Sequence, residues 1–309
     1  MLQVSRFLSL SLFMIFALEA CAPMQRRAPV IAKKSYKKLS DFQPIKKKIV
    51  LLKFFNESPV GGDDLGIQAT EEIRREISKT REFILDSGSE TLFGSSKEVY
   101  AGGGVKLAQL ARKAKLAGVN LVIFGRITQA RLRQKSDEIG FVRKVKALAE
   151  SIVEIKVFDV HANKEVLSQT QEGNVTDDNY RFYQQESEDN IAYRQDLLRY
   201  TTRVAVRKSI PGIIKVGSKL DWVGRVAKII GTRIYINAGK ESGINTGDIL
   251  KVITEGQEIY DPESGAMIGV AQGEVKGTLE VIDYFGVDGA VCILHSGGSV
   301  TEGDFVELY

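Results

Sequence analysis

The residues that could carry acid–base, nucleophilic or metal chemistry are few in this sequence of 309 residues. It contains two cysteines, Cys21 and Cys292, and two histidines, His161 and His295. A zinc site needs several such ligands, and Cys–His or Ser–His catalysis needs a nucleophile beside its base. These counts argue against zinc enzymes and hydrolases of these types. We therefore predict a noncatalytic protein without a cofactor or a metal.

Each remaining candidate has a simpler structural explanation. Cys292 lies in the apolar run "GAVCIL", which is typical of a buried strand rather than of a reactive thiol. His161 lies in the predicted hairpin turn "HANK", where a ligand or catalytic role is not expected. The segment Asp177–Asn179 could bind a cation, but an exposed turn accounts for it. Gly102–Gly104 precedes a predicted helix, but no Gly-Lys-Ser/Thr completes a phosphate-binding loop, so we predict a plain loop.

A Gly-Asp pattern occurs twice near the end of the chain, in "INTGDILKV" and in "VTEGDFVEL". In both copies, Gly-Asp leads into alternating apolar residues, which is typical of a turn followed by a strand. Gly247 and Gly303 can take a positive φ, and Asp248 and Asp304 can accept hydrogen bonds from turn amides. A metal or catalytic role for the aspartates is the alternative, but such turns need no metal. We predict that all four residues are structural.

The first 20 residues have the features of a secretory signal. One basic residue, Arg6, precedes the apolar run Phe7–Leu18. This run has about a dozen residues, whereas a transmembrane helix needs roughly 20. We predict that residues 1–20 are removed and that the mature chain is exported.

The end of this signal resembles that of a bacterial lipoprotein, with Leu18, Ala20 and then Cys21 as the lipid-attachment residue. Glu19 departs from the pattern, and ordinary cleavage after Ala22 is the alternative. Acyl chains on Cys21 would anchor the protein durably, because each buried methylene contributes about 0.8 kcal/mol. Ala22 in place of aspartate resembles lipoproteins sent to the outer membrane. We expect a lipid anchor on the periplasmic face of that membrane.

A basic tether is predicted for residues 21–48. From Ala22 to Lys48 the chain is rich in Lys and Arg, contains three prolines and has no sustained apolar period. Attraction to anionic lipid or glycan is one interpretation, and a solvated spacer is the other. The net charge of the whole chain is only +4, which does not indicate a nucleic-acid partner.

Two domains are predicted beyond the tether, at residues 49–215 and 216–309. In the first, buried strands and amphipathic helices alternate before a long hairpin and a C-terminal helix that Pro211 is expected to end. In the second, short strands are separated by Gly-rich turns. The predicted fold class is α+β, with a mixed sheet and flanking helices followed by a small all-β barrel-like domain. The main predicted elements of the first domain are Lys48–Asn56, Leu121–Ile127, Val142–Val160, Glu165–Val175 and a helix over roughly 186–209.

Four segments of the first domain carry a family resemblance: "IVLLKFFNES", "LGIQATEEIRREI", "LARKAKLAGVNLVIFGRI" and "IVEIKVFDVHANKEVL". Together they resemble the periplasmic domain shared by the curli secretion protein CsgG, the lipoprotein LpoB and the amino-terminal part of TolB. The resemblance implies a CsgG/TolB-N-like sheet. These patterns of hydrophobicity and turns specify fold much better than function.

Three segments of the second domain carry a second family resemblance: "VGRVAKIIGTRIYINAGKESGINTGDILKVITEG", "DPESGAMIGVAQGEVKGTLEVIDY" and "GGSVTEGDFVEL". They are similar to the carboxyl-terminal domain of flagellar assembly protein T (FlgT), in which a CsgG/TolB-like domain comes before this domain. The additional amino-terminal domain of that family does not fit between Ala22 and Lys48, and an anchor at Cys21 is not its usual arrangement. The resemblance implies a ring around the flagellar basal body at the outer membrane.

The expected function is therefore that of a noncatalytic envelope lipoprotein in or beside the flagellar basal-body ring. Its expected partners are further copies of itself, other ring or envelope proteins, and the membrane through the anchor. One alternative is a CsgG-type secretion component, but Arg126–Lys146 carries Lys or Arg on both faces, which argues against membrane-inserted hairpins. A second alternative is an LpoB-like activator of cell-wall synthesis, which leaves the β domain unexplained.

Overall fold

A mixed β-sheet forms the centre of the first domain. The structure, a computed structural model, describes residues 45–86, 92–136, 145–176, 191–265 and 267–309. The strand order is β3-β1-β4-β5-β6, with β2 beside β4. β4 pairs in parallel with β1 and β2 and antiparallel with β5, and β5 pairs antiparallel with β6. The strands are β1 (Lys47–Leu51), β2 (Phe55–Asn56), β3 (Phe83–Leu85), β4 (Leu121–Ser136), β5 (Val145–Asp159) and β6 (Lys164–Thr176).

Three helices cover the sheet: α1 (Asp64–Ser78), α2 (Ser96–Leu116) and α3 (Ile191–Gly217). Successive residues of a strand point to opposite faces, so Ile49 and Val50 of β1 enter different cores. Ile49 is buried with α1 and α3, whereas Val50 is buried with α2. The first domain thus has a helix–sheet–helix arrangement. Among the helices of the described residues, none combines the length and the apolar character that crossing a membrane requires.

Helix α3 differs from the prediction, because it continues through Pro211 and ends at Gly217. A proline inside a helix removes one backbone hydrogen bond and crowds the preceding turn. The neighbouring Ile210 and Ile213 are both buried in the core that α3 shares with the sheet. We attribute the continuation of the helix to this packing, which offsets the local cost of the proline.

The predicted loop at Gly102–Gly104 is also wrong, because these residues lie within α2. Gly103 has a φ of 54° and a ψ of −144°, so the helix is kinked there instead of being interrupted by a loop. The buried Val99 holds the first turns of α2 against the sheet, and Leu110 holds the turns after the kink. Packing on both sides of the kink explains why the glycines do not end the helix.

Strand β4 is much longer than the predicted segment Leu121–Ile127 and runs for 16 residues. The extension follows a bulge at Thr128, where Ile127 pairs with Val153 and Gln129 pairs with Ile152. The sequence analysis did not predict this extension, because its charged side chains obscure the apolar pattern of a strand.

A closed barrel forms the second domain, with strand order β7-β8-β13-β12-β9-β14 and β14 returning to β7. All of its pairs are antiparallel. The predicted fold class, a mixed sheet with flanking helices followed by a small all-β barrel, is confirmed. The remaining pair, β10 and β11, forms a separate antiparallel hairpin. The strands are β7 (Val223–Ile230), β8 (Arg233–Ile236), β9 (Ile249–Ile253), β10 (Glu258–Tyr260), β11 (Met267–Val270), β12 (Val275–Phe285), β13 (Gly289–Gly297) and β14 (Phe305–Leu308).

The barrel core includes the residue at which the described chain begins. Ile45 is buried in the same apolar cluster as Trp222, Leu250 and Leu279. The backbone N–H of Lys46 then donates to the carbonyl of Ser242 at 2.8 Å. The first described residues therefore pack on the barrel before the chain enters β1. Residues 1–44, with the predicted signal, Cys21 and most of the tether, lie outside the described residues, and the predicted domain limits stay predictions.

Candidate functional site: the cleft and joint between the two domains

A cleft of about 500 Å³ lies between the first domain and the barrel. The described residues of both domains belong to one compact unit. The first domain contributes Asp159 and His161 from the end of β5 and the turn after it. The barrel contributes Ile253 and Phe305, and Lys219 lies in the segment that connects the domains. Ligand sites are often found at such domain boundaries.

His161 packs into the cleft wall instead of facing solvent. Its ring meets that of Phe305 edge-to-face, with 5.3 Å between the ring centroids. Burial lowers the pKa of His161 to about 4, and the nearby Lys115 ammonium acts in the same direction. The Nε2 atom is buried and has no hydrogen-bond partner among the described residues. His161 is therefore a neutral packing residue at neutral pH.

Asp159 shapes the turn that carries His161. One of its carboxylate oxygens accepts the backbone N–H groups of His161 at 2.9 Å and Ala162 at 3.0 Å. Burial raises the pKa of Asp159, although these two hydrogen bonds favour the charged form. Because the carboxylate holds the backbone, it does not orient the imidazole ring as an aspartate of a catalytic triad would.

Lys115, at the end of α2, binds the barrel electrostatically. Its Nζ atom lies 2.5 Å from a carboxylate oxygen of Glu255 and 5.4 Å from the ring centroid of Phe305. The Lys115 carbonyl is also 3.4 Å from the Arg225 guanidinium. The C-terminal turn of α2 thus contacts both an acid and a base of the barrel.

Asn120 forms the buried polar centre of the joint. Its Nδ2 atom donates to the carbonyl of Val223 in β7 at 2.8 Å, and its Oδ1 atom accepts the backbone N–H of Lys48 at 3.0 Å. The Lys48 ammonium donates to the Asn237 carbonyl at 3.2 Å, and the Asn237 side chain accepts the N–H of Arg225 at 2.7 Å. One connected set of hydrogen bonds therefore joins β1, the α2–β4 loop and the barrel.

The described residues show no nucleophile bonded to the His161 ring, and one oxygen of the Asp159 carboxylate accepts two backbone amides. No group of three or more His, Cys, Asp or Glu side chains that could hold a metal occurs in the described ranges.

The two Gly-Asp turns occupy equivalent places in the barrel. The Gly247 N–H donates to the Val281 carbonyl at 2.7 Å, and the Val281 N–H donates to the Asp248 carbonyl at 3.0 Å. Gly303 and Asp304 make the same two bonds with Val226, each at 2.9 Å. Gly247 and Gly303 have φ values of 88° and 95°.

Each of these turns also sits at a bulge. The pairing register shifts just after Val281 in β12 and just after Val226 in β7. The repeated sequence thus corresponds to two copies of one local arrangement, in which a glycine turn pairs with a bulged strand.

The two aspartates differ in their surroundings. The carboxylate of Asp248 accepts the N–H of Asn245 at 2.7 Å, and that of Asp304 accepts the N–H of Thr301 at 2.7 Å. Asp304 is also buried and pairs with the Lys276 ammonium at 2.8 Å. The repeat is therefore symmetric in its backbone but not in its charge.

The other candidates from the sequence lie apart from the cleft or outside the described residues. Cys292 is buried in the barrel core, and burial raises the pKa of its thiol to about 12. Cys21 and the segment Asp177–Asn179 lie outside the described residues.

Sequence reasoning missed the residues that build the joint. Lys115 was one of several charged residues on a helix, and Asn120 and Asn237 were loop residues without a pattern. The one nearby residue with a local signal is Gly118, because glycine favours the left-handed conformation that often follows a helix. It takes a φ of 69° and lies against Asn237.

Comparison with known proteins yields no matching family model and no matching curated protein. Solved structures that resemble part of the chain include lipoprotein GNA1162 from Neisseria meningitidis, at 15% identity and a TM-score of 0.31, covering 55% of this chain and 99% of that one. The LpoB C-terminal domain from Salmonella enterica is similar at 15% identity and a TM-score of 0.27, covering 44% and 86%. The PelC dodecamer from Paraburkholderia phytofirmans is similar at 14% identity and a TM-score of 0.26, covering 52% and 90%.

These likenesses concern the fold, and we draw no functional argument from them. The names of these three structures do not point to a flagellar protein, so the resemblance to FlgT rests on the sequence.

Proposed function

We propose that this chain is a noncatalytic, lipid-anchored assembly protein of the bacterial cell envelope, facing the periplasm from the outer membrane. The observation that carries the proposal is the joint, in which Asn120, Lys48 and Asn237 link the two domains through buried or half-buried hydrogen bonds. A protein that holds two binding surfaces at a constant distance and orientation needs such a joint. The exported and lipid-anchored state is supported by the leader and by Cys21.

The chemistry of the cleft supports a binding role. The half-buried His161 ring packs against Phe305, and one oxygen of Asp159 bonds to the backbone of the turn, so the two side chains do not form an acid–base pair. The cleft is lined by the largely buried Ile253 and Phe305 beside the charged Lys219. We propose that the two domains hold partner proteins in a fixed arrangement, with self-association into a ring through the first domain.

Three envelope systems are candidates for the one in which the protein works. The sequence of the barrel supports the flagellar basal-body ring, whereas the first domain equally supports a CsgG-type secretion system or an LpoB-like activator of cell-wall synthesis. We favour the broader role of envelope assembly, and the flagellar ring is the second candidate.

Cross-linking in the organism of origin tests the proposal. A tag after Tyr309 suits this purpose, because that residue is 86% exposed. After cross-linking, the tagged chain is captured and its partners are identified by mass spectrometry. Flagellar ring proteins, penicillin-binding proteins or secretion components would identify the system. Capture of further copies of the chain would support the ring.

Two variants provide the controls for this capture. Cys21→Ser should release the protein from the membrane and reduce the yield of outer-membrane partners. Cys292→Ser leaves Cys21 intact and should retain the partners. Wild-type chain that cross-links reproducibly to no envelope protein, or that is found in the cytoplasm, would overturn the proposal.

A further inference from the structure

Within the part of the chain that the structure describes, β4 has one edge that is open beyond Ile127. On one side it pairs with β5 along its whole length, from Leu121 opposite Asp159 to Ser136 opposite Val145. On the other side, pairing with β1 and β2 stops at Ile127, whose carbonyl accepts the last bond from Glu57 at 2.9 Å. From Gln129 to Ser136, no described strand lies on this side. Unpaired backbone groups on a strand edge are a template for another strand.

The bulge at Thr128 decides which peptide groups face the opening. Before the bulge, the carbonyls of Ile123 and Ile127 point away from β5. The extra residue shifts the alternation by one, so the N–H and C=O groups of Ala130 and Leu132 point outward afterwards. The same shift turns the side chains of Ala130 and Leu132 into the core shared with α3. The residues whose peptide groups point outward are thus held in place by the packing of their side chains in the core.

A groove runs along this open edge. It has a volume of about 380 Å³ and lies between the edge residues Thr128–Arg133 and the loop Ser58–Val60. The loop follows β2, so it begins where the paired part of β4 ends. An added strand would lie about 4.8 Å from β4 and would therefore occupy this groove.

The charge of the groove selects its occupant. Arg131 and Arg133 are exposed on the face opposite the core; Arg131 lies opposite Glu150 of β5, but no ion pair of the described residues includes it. The Nε atom of Arg133 lies 3.5 Å from a carboxylate oxygen of Glu150 across the strand pair, but the arginine side chain is still 55% exposed. Cross-strand neighbours on one face interact directly, so acidic side chains on an added strand would meet these guanidinium groups.

The outer edge of β6 offers an internal contrast. β6 pairs with β5 on one side, and its other edge is partly occupied by α3. The Lys208 ammonium donates to the outward carbonyl of Glu172 at 2.6 Å, and Gln169 donates to the Ser209 carbonyl at 2.8 Å. Helix α3 thus covers part of this edge, whereas the described residues make no such contact with Gln129–Ser136.

We propose that the open edge of β4 receives an extended, acidic segment of a partner protein as an added strand. Backbone hydrogen bonds to Ala130 and Leu132 provide affinity, and acids at alternate positions opposite Arg131 and Arg133 provide selectivity. This inference rests on the proposed function in one respect, namely that the partner belongs to the envelope. The docking itself is independent of the anchor and of the envelope system.

Fluorescence anisotropy of labelled octapeptides with the full chain in detergent tests the docking. The probes are an alternating Val-Glu peptide and an alternating Val-Lys peptide. We expect the Val-Glu peptide to bind, with weaker binding at high salt, and the Val-Lys peptide not to bind. Lack of Val-Glu binding up to millimolar concentration would overturn the proposal, since the arginines would then only protect the edge against pairing.

Matched proline variants separate backbone pairing from charge attraction. Leu132→Pro removes an outward N–H of β4 and leaves Arg131 and Arg133 in place, so we expect affinity to fall at least about tenfold. Thr170→Pro removes an outward N–H at the edge of β6 and should leave binding unchanged. Equal affinity of wild type and a folded Leu132→Pro variant would show surface attraction and overturn the proposal.

A charge reversal keeps the test decisive if the proline variant does not fold. The double variant Arg131→Glu and Arg133→Glu should lose the Val-Glu peptide and gain the Val-Lys peptide. An unchanged preference would overturn the proposal. If peptide binding fails although cross-linking captures envelope partners, the docking inference falls and the proposed function stands.

The chain's own acidic residues are the competing occupant. In one variant, five acidic residues are replaced together by Asn or Gln: Asp177, Asp178, Glu186, Glu188 and Asp189. The affinity of this variant for the Val-Glu peptide should equal that of wild type. An affinity about tenfold higher or more would show that these residues occupy the edge themselves, against the proposal.

Discussion

Gly118 lies so close to Asn237 that a Cβ atom added to the glycine would be 1.6 Å from the asparagine Nδ2 atom. Gly118 follows α2 in the first domain, and Asn237 follows β8 in the barrel. The asparagine also holds the backbone N–H of Arg225 and, through its carbonyl, the Lys48 ammonium. The closeness of these two residues therefore determines how tightly the domains join.

The first prediction is that Gly118→Ala loosens the joint. Its φ of 69° costs any residue with a Cβ about 1 kcal/mol, and displacement of Asn237 adds to this. We expect the free energy of unfolding to fall by about 2–4 kcal/mol in total. Urea unfolding followed by circular dichroism measures it. Gly231→Ala is the matched control, because Gly231 has a φ of 61° with open space around its Cβ position. Equal losses in both variants would contradict a role of the contact with Asn237.

The second prediction concerns His161 and pH. Its pKa in the folded state is lowered from 6.5 to about 4, so the unfolded chain binds more protons between these values. The contribution of His161 is present above pH 6.5 and is lost as the pH falls towards 4, by on the order of 3 kcal/mol. His161→Phe keeps a ring against Phe305 and should flatten this part of the stability profile.

The control for this pH profile is His295→Gln, because His295 is exposed on β13. This variant should retain the wild-type slope. Asp159 acts in the opposite direction, since its raised pKa makes the folded state bind the extra proton. The difference between wild type and His161→Phe isolates the histidine. Parallel profiles for these two proteins would refute the prediction.

The third prediction separates the two aspartates of the Gly-Asp repeat. Asp248→Ala removes one turn hydrogen bond and should cost about 1 kcal/mol. Asp304→Ala should cost more, about 2–4 kcal/mol, because it also removes the buried carboxylate that pairs with the Lys276 ammonium. Thermal melts of the full chain, with and without a chelator, compare the variants. Melting that depends on the chelator, or a larger loss from Asp248→Ala, would speak against purely structural turns.

The fourth prediction is that Cys21 carries the lipid. Cys21→Ser should abolish incorporation of a labelled fatty acid and release the protein from the membrane. Cys292→Ser should retain the label, because Cys292 is buried in the barrel. The melting temperature of Cys21→Ser should equal that of wild type. Wild-type protein without label would exclude the anchor.

Segments that bury one face could be predicted from the sequence. In β5, Val153, Ile155 and Val157 are fully buried, whereas Glu154 and Lys156 between them are half-buried and form ion pairs. This alternation is a property of neighbouring residues and is visible in the sequence. A small all-β, barrel-like domain was predictable because its short strands are separated by turn residues such as Gly247 and Gly303, whereas the closure of the barrel is seen only in the structure.

The sequence by itself thus determined the class of the segments with a clear apolar period, the order of the two domains and the small number of chemically reactive side chains. Only the tertiary structure decided that α3 passes through Pro211, that Lys115 meets Glu255, and that no described strand pairs with the outer edge of β4 beyond Ile127. Each of these features depends on residues far apart in the chain. Periodicity within a segment specifies which side chains are buried, but not where a neighbouring strand ends, because an edge is a property of the pairing and not of the strand itself.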